Sequence, residues 1–506
     1  MSAMSSGEAV GPPVAPLADE ADSLDPLDTP QAGSRALRGG SLRTVGYVVT
    51  ILLSLVAVPL LIKHLGISGY GRYVLVISLV AIVASLTEGG LNAVAVREYT
   101  TTTGPNRRQV MRVALGLRIA LTTAGALLAI GFAAVAGYGS ELVLGTALAG
   151  VGMIFQLVQG LLGVSLEAEL RFGWVAVTEL LRQLVNVLLL VALVLAHASI
   201  VLLLGAAIPA SLVSLLMTVA LVRGNVSLRP AFAVGRWWPL VRDSIPWAIV
   251  SAVNVVYFRL VIILMSLLAT ATETGYFATS FRVVEVLIGI PALTVSAAYP
   301  ILTRTVRGDG TRFAYASGRL FELSLILGTW MVVCLEIGAP FAIKILAGGR
   351  AEPSVAVLRI QGLAVIATFV AVGCGFPLLT LRRFRQALLA NCGALVLSGV
   401  LTAVLVGPLG ARGAAIAAVA AEYTLALSVL FSLLRAEPAV RIEPLAAPGI
   451  MLAGAAAVGL GLLLPVHPVI GALIASGFYF IALRLIRRFP PEVAELIAGG
   501  LRSVGR

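Results

Sequence analysis

"VRGNVSLRPAFAVGRWWPLVRDSIP", residues 222–246, is an arginine-rich interruption between apolar runs, each about the length that crosses a bilayer as a helix. Six runs precede it, at roughly 43–62, 73–95, 112–137, 142–164, 174–196 and 199–222. Six follow, at roughly 244–268, 276–302, 318–342, 355–380, 386–407 and 413–434, and two more close the chain at about 447–465 and 467–486. The pattern predicts an all-α polytopic membrane protein of about 14 transmembrane helices, with two six-helix lobes plus two C-terminal helices. Trp237 and Trp238, beside Arg236 and Arg242, suit a connector lying at the membrane interface between the lobes.

Composition agrees with this division. Of 506 residues, 59% are hydrophobic and 12% charged, and the mean hydropathy is +1.02, a balance outside that of soluble globular domains. Residues 1–40 differ from the rest, with five prolines from Pro12 to Pro30 and five acids from Asp19 to Asp28. They are expected to form a disordered cytoplasmic tail, and their acidic character excludes a signal peptide. The expected organisation is a tail at 1–40, an N-lobe at 41–223, the connector at 224–243, a C-lobe at 244–435, the last two spans within 436–490 and a cytoplasmic tail at 491–506.

The net charge of +12 follows topology rather than nucleic-acid binding. Arginines gather in alternate connections, for example Arg97, Arg107, Arg108 and Arg112, then Arg223, Arg229, Arg236 and Arg242, then Arg382, Arg383 and Arg385. The positive-inside rule then places both termini in the cytoplasm. No connection is long enough for a catalytic domain, so the chain reads as a non-enzyme. Lys63 and Lys344 are the only lysines and neither follows a Gly-rich phosphate loop, which excludes that mode of ATP binding. Cys334, Cys374 and Cys392 are scattered through spans, and His64, His197 and His467 fall at span ends, so no metal or other cofactor is expected.

Four stretches carry a family resemblance: "PLLIKHLGISGYGRY" (59–73), "TEGGLNAVAVRE" (87–98), "ETGYFATSFRVVEVL" (273–287) with "AAYPILTR" (297–304), and "LVGPLGARGAAIAAVAAEYTLAL" (405–427). In that order they resemble the bacterial polysaccharide flippases of the multidrug/oligosaccharidyl-lipid/polysaccharide exporter superfamily, over roughly residues 41–490. The resemblance implies export of a polyprenyl-pyrophosphate-linked glycan by two lobes rocking around a central cavity, with membrane lipids and glycan assembly enzymes as further partners. Members often carry an aspartate two positions after the arginine of the seventh span. Val261 stands there in this chain, so a cation or proton role tied to that acid does not carry over.

An arginine at mid-membrane costs about 2.5–3.5 kcal/mol on insertion scales, which marks intramembrane arginines as functional or paired. The predicted spans contain Arg118, Arg182, Arg259 and Arg282. Arg259 is the deepest and is expected to have no neighbouring acid. It is the first candidate for gripping a pyrophosphate, with Asn254 and Tyr257 extending its polar face. Arg282 has Glu285 three positions on and reads equally as ligand contact or ion pair. Arg118 reads as a cavity residue or a snorkelling one, and Arg182 as a helix pair with Glu179.

Glu88, Glu422 and Glu285 are the candidates for coupling or charge balance. Gln156, Gln159, Gln183, Asn186, Gln361 and Asn391 are buried amides suited to sugar hydroxyls or to neighbouring helices. Gly449, Ala453, Ala457 and Gly461 form a small-residue stripe for close helix approach in a region too apolar to line a headgroup path. A drug/cation antiporter of the related extrusion family is the alternative, and it would favour acids facing the lumen.

Overall fold

Inside a bilayer a helix satisfies its own backbone, and long apolar runs therefore fold as helices. A computed structural model describes residues 32–102, 104–224, 226–308, 310–440 and 446–488. Among these, the helices are α1 (Ala32–Glu88), α2 (Leu91–Thr101), α3 (Gly104–Val135), α4 (Ser140–Ala168), α5 (Phe172–Leu195), α6 (Ile200–Gly205) and α7 (Ala207–Val222). The second group is α8 (Trp237–Leu268), α9 (Ala271–Gly308), α10 (Gly310–Ala347), α11 (Pro353–Thr380), α12 (Phe384–Ala436), α13 (Ala446–Leu463) and α14 (Pro468–Leu485). No strand occurs among the described residues.

Eleven helical stretches among the described residues are long and apolar enough to span a membrane. Leu128, Leu452 and Leu473 are 72%, 72% and 68% exposed on their outer faces, as a belt covered by lipid requires. The chain is a multi-pass membrane protein.

The helices differ in their ends from the expected spans. Two predicted connections, 63–72 and 408–412, are not open loops: α1 continues through the first except at Gly66 (φ 71°, ψ 176°), and α12 through the second except at Gly410 (φ 54°, ψ −133°). A single left-handed glycine suffices to break each helix. At Gly410 an added Cβ would also lie 2.4 Å from the Glu273 carboxylate, which accepts the Ala411 amide at 2.7 Å and so caps the segment beyond the break.

Two other expected spans are interrupted, at Gly89–Gly90 and near Ala206. Helix α1 already starts at Ala32, inside the expected disordered tail, because extending an existing helix through Ala36, Leu37 and Arg38 is easier than nucleating one. The rest of that tail, 1–31, and the expected C-terminal tail lie outside the described residues.

In the first group α4 packs on α3 and α7, and α1 on α5; in the second, α11 packs on α9, α10 and α12. Helices α13 and α14 lean on α10. Gly454 and Gly461 approach it so closely that added Cβ atoms would come 2.3 Å from the Thr329 side chain and 2.2 Å from that of Ile337. Tyr479 completes the contact by donating to the Ile326 carbonyl at 3.0 Å, and Trp330 donates to Ser476 at 3.0 Å. The small-residue stripe thus has a packing role.

The two groups touch at both ends of α8, whose 32 residues span about 48 Å. At the end away from the connector, the backbones of Ile67–Gly71 and Ala271–Gly275 meet directly. A Cβ on Gly275 would lie 2.1 Å from the Ile67 carbonyl oxygen, and one on Gly71 2.6 Å from that of Ala271. Tyr138 and Ser266 share a 2.7 Å hydrogen bond nearby, and Arg350 donates to the Lys63 carbonyl at 2.9 Å. At the connector end Arg97 pairs with Asp243 at 2.6 Å.

Candidate functional site

Between these contacts lies a cavity of about 850 Å³, walled on one side by α1, α4 and α5 and on the other by α8 and α9. Its charged lining comprises Arg182, Arg259, Arg282, Glu88 and Glu285. Three cations against two anions leave the wall weakly positive.

Arg259 comes from the middle of α8 and Arg282 and Glu285 from one face of α9. Arg259 Nη2 donates to Glu285 Oε1 at 2.5 Å, and Arg282 Nη1 to Glu285 Oε2 at 2.5 Å. Arg282 Nη2 reaches across to Ser54 Oγ of α1 at 2.6 Å, tying the two helix groups together. One carboxylate therefore serves two guanidiniums, and the triad keeps one net positive charge. The guanidinium of Arg259 also stands 6.0 Å from the Phe281 ring centroid. The side chains of Arg259, Arg282 and Glu285 remain 20%, 25% and 27% exposed, toward the cavity.

The expectation that Arg259 lacks a neighbouring acid is corrected here. Its partner lies 26 residues away on the next helix, a relation that spacing along one helix does not reveal.

Asn254 and Glu88 also line the cavity, whereas Arg118, Tyr257 and Glu422 do not. Arg118 is fully buried. It donates to Asn92 Oδ1 at 2.6 Å and to the Thr87 carbonyl at 3.3 Å, one of the acceptors left at the end of α1. Asn92 in turn donates to Glu88 Oε1 at 3.1 Å. The guanidinium thus stitches together the break that Gly89 (φ 47°) and Gly90 (φ 70°) create in "TEGGLN". Tyr257 lies beside Glu422, which accepts from Thr368 at 3.0 Å. Both border a separate void of about 40 Å³ with Gln361 and Ser398.

Arg182 forms the helix pair that its spacing from Glu179 predicts. It is bound through both Nε and Nη2 by Glu179, and it also faces the cavity. The signal for this was available: Glu179, Arg182, Gln183 and Asn186 recur at three- and four-residue spacing, a polar stripe on an otherwise apolar helix.

Residues 36–306 match the family described as polysaccharide biosynthesis protein. The chain belongs to that family. Among solved structures, its fold is similar to that of the lipid II flippase MurJ in an inward closed conformation, with a TM-score of 0.75 at 15% identity over 88% of this chain and 99% of that one. It also resembles a multidrug resistance MATE transporter of the MOP superfamily in an inward-facing conformation (TM-score 0.61, 12% identity, 77% of this chain and 95% of that one). An outward-facing MATE structure gives 0.58 at 15% identity, over 80% of this chain and 96% of that one. A search of curated proteins finds no match. The neighbours are flippases and transporters, and at these identities they establish the fold this family member shares with them.

Proposed function

We propose that this chain moves a polyprenyl-pyrophosphate-linked oligosaccharide from the cytoplasmic to the outer leaflet of the cytoplasmic membrane for cell-surface polysaccharide assembly. The observation that carries the reading is the Arg259–Glu285–Arg282 triad on the cavity wall, combined with membership of the polysaccharide biosynthesis family. A pyrophosphate entering a low-dielectric path needs fixed cations, and arginine forks grip phosphate oxygens in bidentate fashion. Glu285 serves as the resident counterion, and the pyrophosphate takes its place. Displacing it loosens the hold on Arg282, whose other arm reaches Ser54 of the opposite wall.

In this reading fourteen crossings form an N-lobe (41–223), a C-lobe (244–435) and a final pair of spans (436–490), with both termini cytoplasmic. The lobes alternate between open ends around the cavity, and the Ile67–Gly275 and Arg97–Asp243 contacts close its two ends in turn. Asn254 extends the grip of the arginines. Arg118 and Tyr257 act behind the wall, on Glu88 and Glu422 respectively. Glu88 and Glu422 balance charge during the cycle, Glu422 from within the C-lobe. Glycan assembly enzymes are the natural protein partners.

The alternative, a drug/cation antiporter, is favoured by the MATE likeness and by two acids in the cavity lining. Purified protein in nanodiscs separates the two readings by its preference between geranyl pyrophosphate and a geranyl trimethylammonium of the same tail. The flippase reading expects at least tenfold tighter binding of the anion, lost in Arg259→Ala. Preference for the cation supports the antiporter.

A further inference from the structure

Six intramembrane amides were candidates for sugar contact, and the structure divides them. Gln159 is satisfied inside the protein, donating to Thr218 at 3.2 Å and Thr178 at 3.5 Å. Asn391 donates to its own helix at Ala387, 2.9 Å away. Gln361 is unpaired at both amide atoms but borders only the small C-lobe void, away from the main cavity. The other three, Gln156, Gln183 and Asn186, line the main cavity. Among the described residues none of the three has a protein hydrogen-bond partner.

That is unusual for an amide held at membrane depth, where neighbouring helices ordinarily supply partners. Gln183 makes the point sharply. It is only 8% exposed, and its amide is not sealed off but opens on the cavity. A group kept in that condition is suited to a polar occupant of the cavity.

The three amides and Glu88 form one surface. Gln183 and Asn186 are three residues apart and share a face of α5. Helices α1 and α4 run side by side in the same direction. Val76 clusters with Ala149, Leu79 and Val83 with Met153 and Leu157, and Leu91 with Leu161. A Cβ on Gly160 would lie 3.5 Å from Asn92 Nδ2. On these two neighbouring helices Gln156 and Glu88 both line the cavity. The Glu88 carboxylate is fixed by Asn92, itself held by buried Arg118.

The two sides of the cavity therefore differ in chemistry. The α8–α9 side presents Arg259 and Arg282 around Glu285; the side of α1, α4 and α5 presents three amides, which offer donors and acceptors together, the Glu88 carboxylate, which accepts only, and a single guanidinium, Arg182, already held by Glu179. Sugar hydroxyls both donate and accept, and amides and carboxylates complement them.

We propose that Gln156, Gln183, Asn186 and Glu88 form a sugar subsite on the α4–α5 side of the cavity, which binds hydroxyls of the glycan while the pyrophosphate lies against Arg259 and Arg282. This rests on the flippase reading and adds specificity to it: the lipid and phosphate parts are recognised by one side and the carbohydrate by the other.

The test uses the full chain carrying Gln156→Ala, Gln183→Ala and Asn186→Ala together, with Asn186→Ala alone as a milder variant. Two quantities are read: affinity for geranyl pyrophosphate, which has no sugar, and accumulation of polyprenyl-linked glycan in cells whose only copy is the variant. The subsite predicts geranyl pyrophosphate affinity within twofold of wild type, with lipid-linked glycan rising at least tenfold in the triple variant and severalfold in the single one, at normal protein levels.

Equal loss of geranyl pyrophosphate affinity, or normal glycan levels in both variants, overturns it. If the triple variant fails to accumulate as protein, the single variant decides by the same two readouts. Wild-type protein that binds no geranyl pyrophosphate, and whose depletion accumulates no lipid-linked glycan, removes the flippase reading itself and the subsite with it.

Discussion

Two arginine clusters in this molecule contain the same chemistry and do different work. In the first group of helices Arg118 is fully buried and spends its donors on Asn92 and the Thr87 carbonyl, with Glu88 reached through Asn92. In the second, Arg259 and Arg282 share Glu285 on a cavity wall. Burial separates the roles. A guanidinium locked behind a helix break cannot release its partners without exposing broken backbone, whereas one that opens on a cavity can exchange an acid for another anion. The difference teaches that an intramembrane arginine is read by what encloses it, since position along its span leaves Arg118 open between a cavity residue and a snorkelling one.

The largest effect expected from this contrast is on folding. Arg118→Ala should lower stability by about 1–3 kcal/mol for each of the two buried acceptors it leaves unpaired, Asn92 and the Thr87 carbonyl. Thermal melting and protein level in the membrane would register it. A melting temperature unchanged from wild type would make the two clusters equivalent.

Arg259→Ala should show the reverse profile. Its melting temperature should fall only slightly, while affinity for geranyl pyrophosphate should fall tenfold to a hundredfold, about 1.4–2.8 kcal/mol. Isothermal titration in nanodiscs measures this.

Glu285→Gln sharpens the comparison further, because it removes the anion that competes for both guanidiniums. Geranyl pyrophosphate should then bind about tenfold tighter, about 1.4 kcal/mol, with some loss of thermal stability. Weaker binding would mean that Glu285 orients the arginines for the ligand rather than screening them.

The smallest effect belongs to the water-exposed pair, Arg97 with Asp243. The hydrogen bond from Arg97 holds the Asp243 carboxyl below its ordinary value of 3.8. A lowered carboxylate pKa stabilises the fold above the unfolded value, and the contribution disappears as pH falls through the lowered one. The difference between wild type and Asp243→Asn should therefore be constant from neutral pH down to about 4 and vanish in stronger acid, as melting curves at a series of pH values would show. It should also shrink in high salt.

Much of this architecture is legible in the sequence. Apolar runs of membrane length and arginines in alternate connections give the helical class, and the "GISGYG" and "GPLG" stretches mark breaks at Gly66 and Gly410 that the structure contains. Helix breaks inside apolar runs are harder to see. "TEGGLN" reads as continuous span because its neighbours are apolar, yet two left-handed glycines end the helix there.

The site was half legible. Arg259, Arg282, Glu285, Asn254 and Glu88 are polar groups at cavity-facing positions, and their residue types singled them out. Which of them touch depends on contacts such as Arg259 with Glu285 and Arg282 with Ser54, across 26 and 228 residues. Helical periodicity specifies faces within one helix and says nothing about which faces meet. Arg118 and Tyr257 were grouped with the cavity for the same reason, and only packing shows them turned into the walls.

The central claim, that the cavity passes a lipid-linked glycan, is tested most directly by depleting the protein in its own host and quantifying polyprenyl-linked glycans in extracted membranes by mass spectrometry. The account predicts build-up of one defined repeat unit on its pyrophosphate carrier, reversed by wild-type protein and not by Arg259→Ala. Unchanged lipid-linked glycan together with heightened sensitivity to cationic drugs would contradict it and assign the cavity to the antiporter reading.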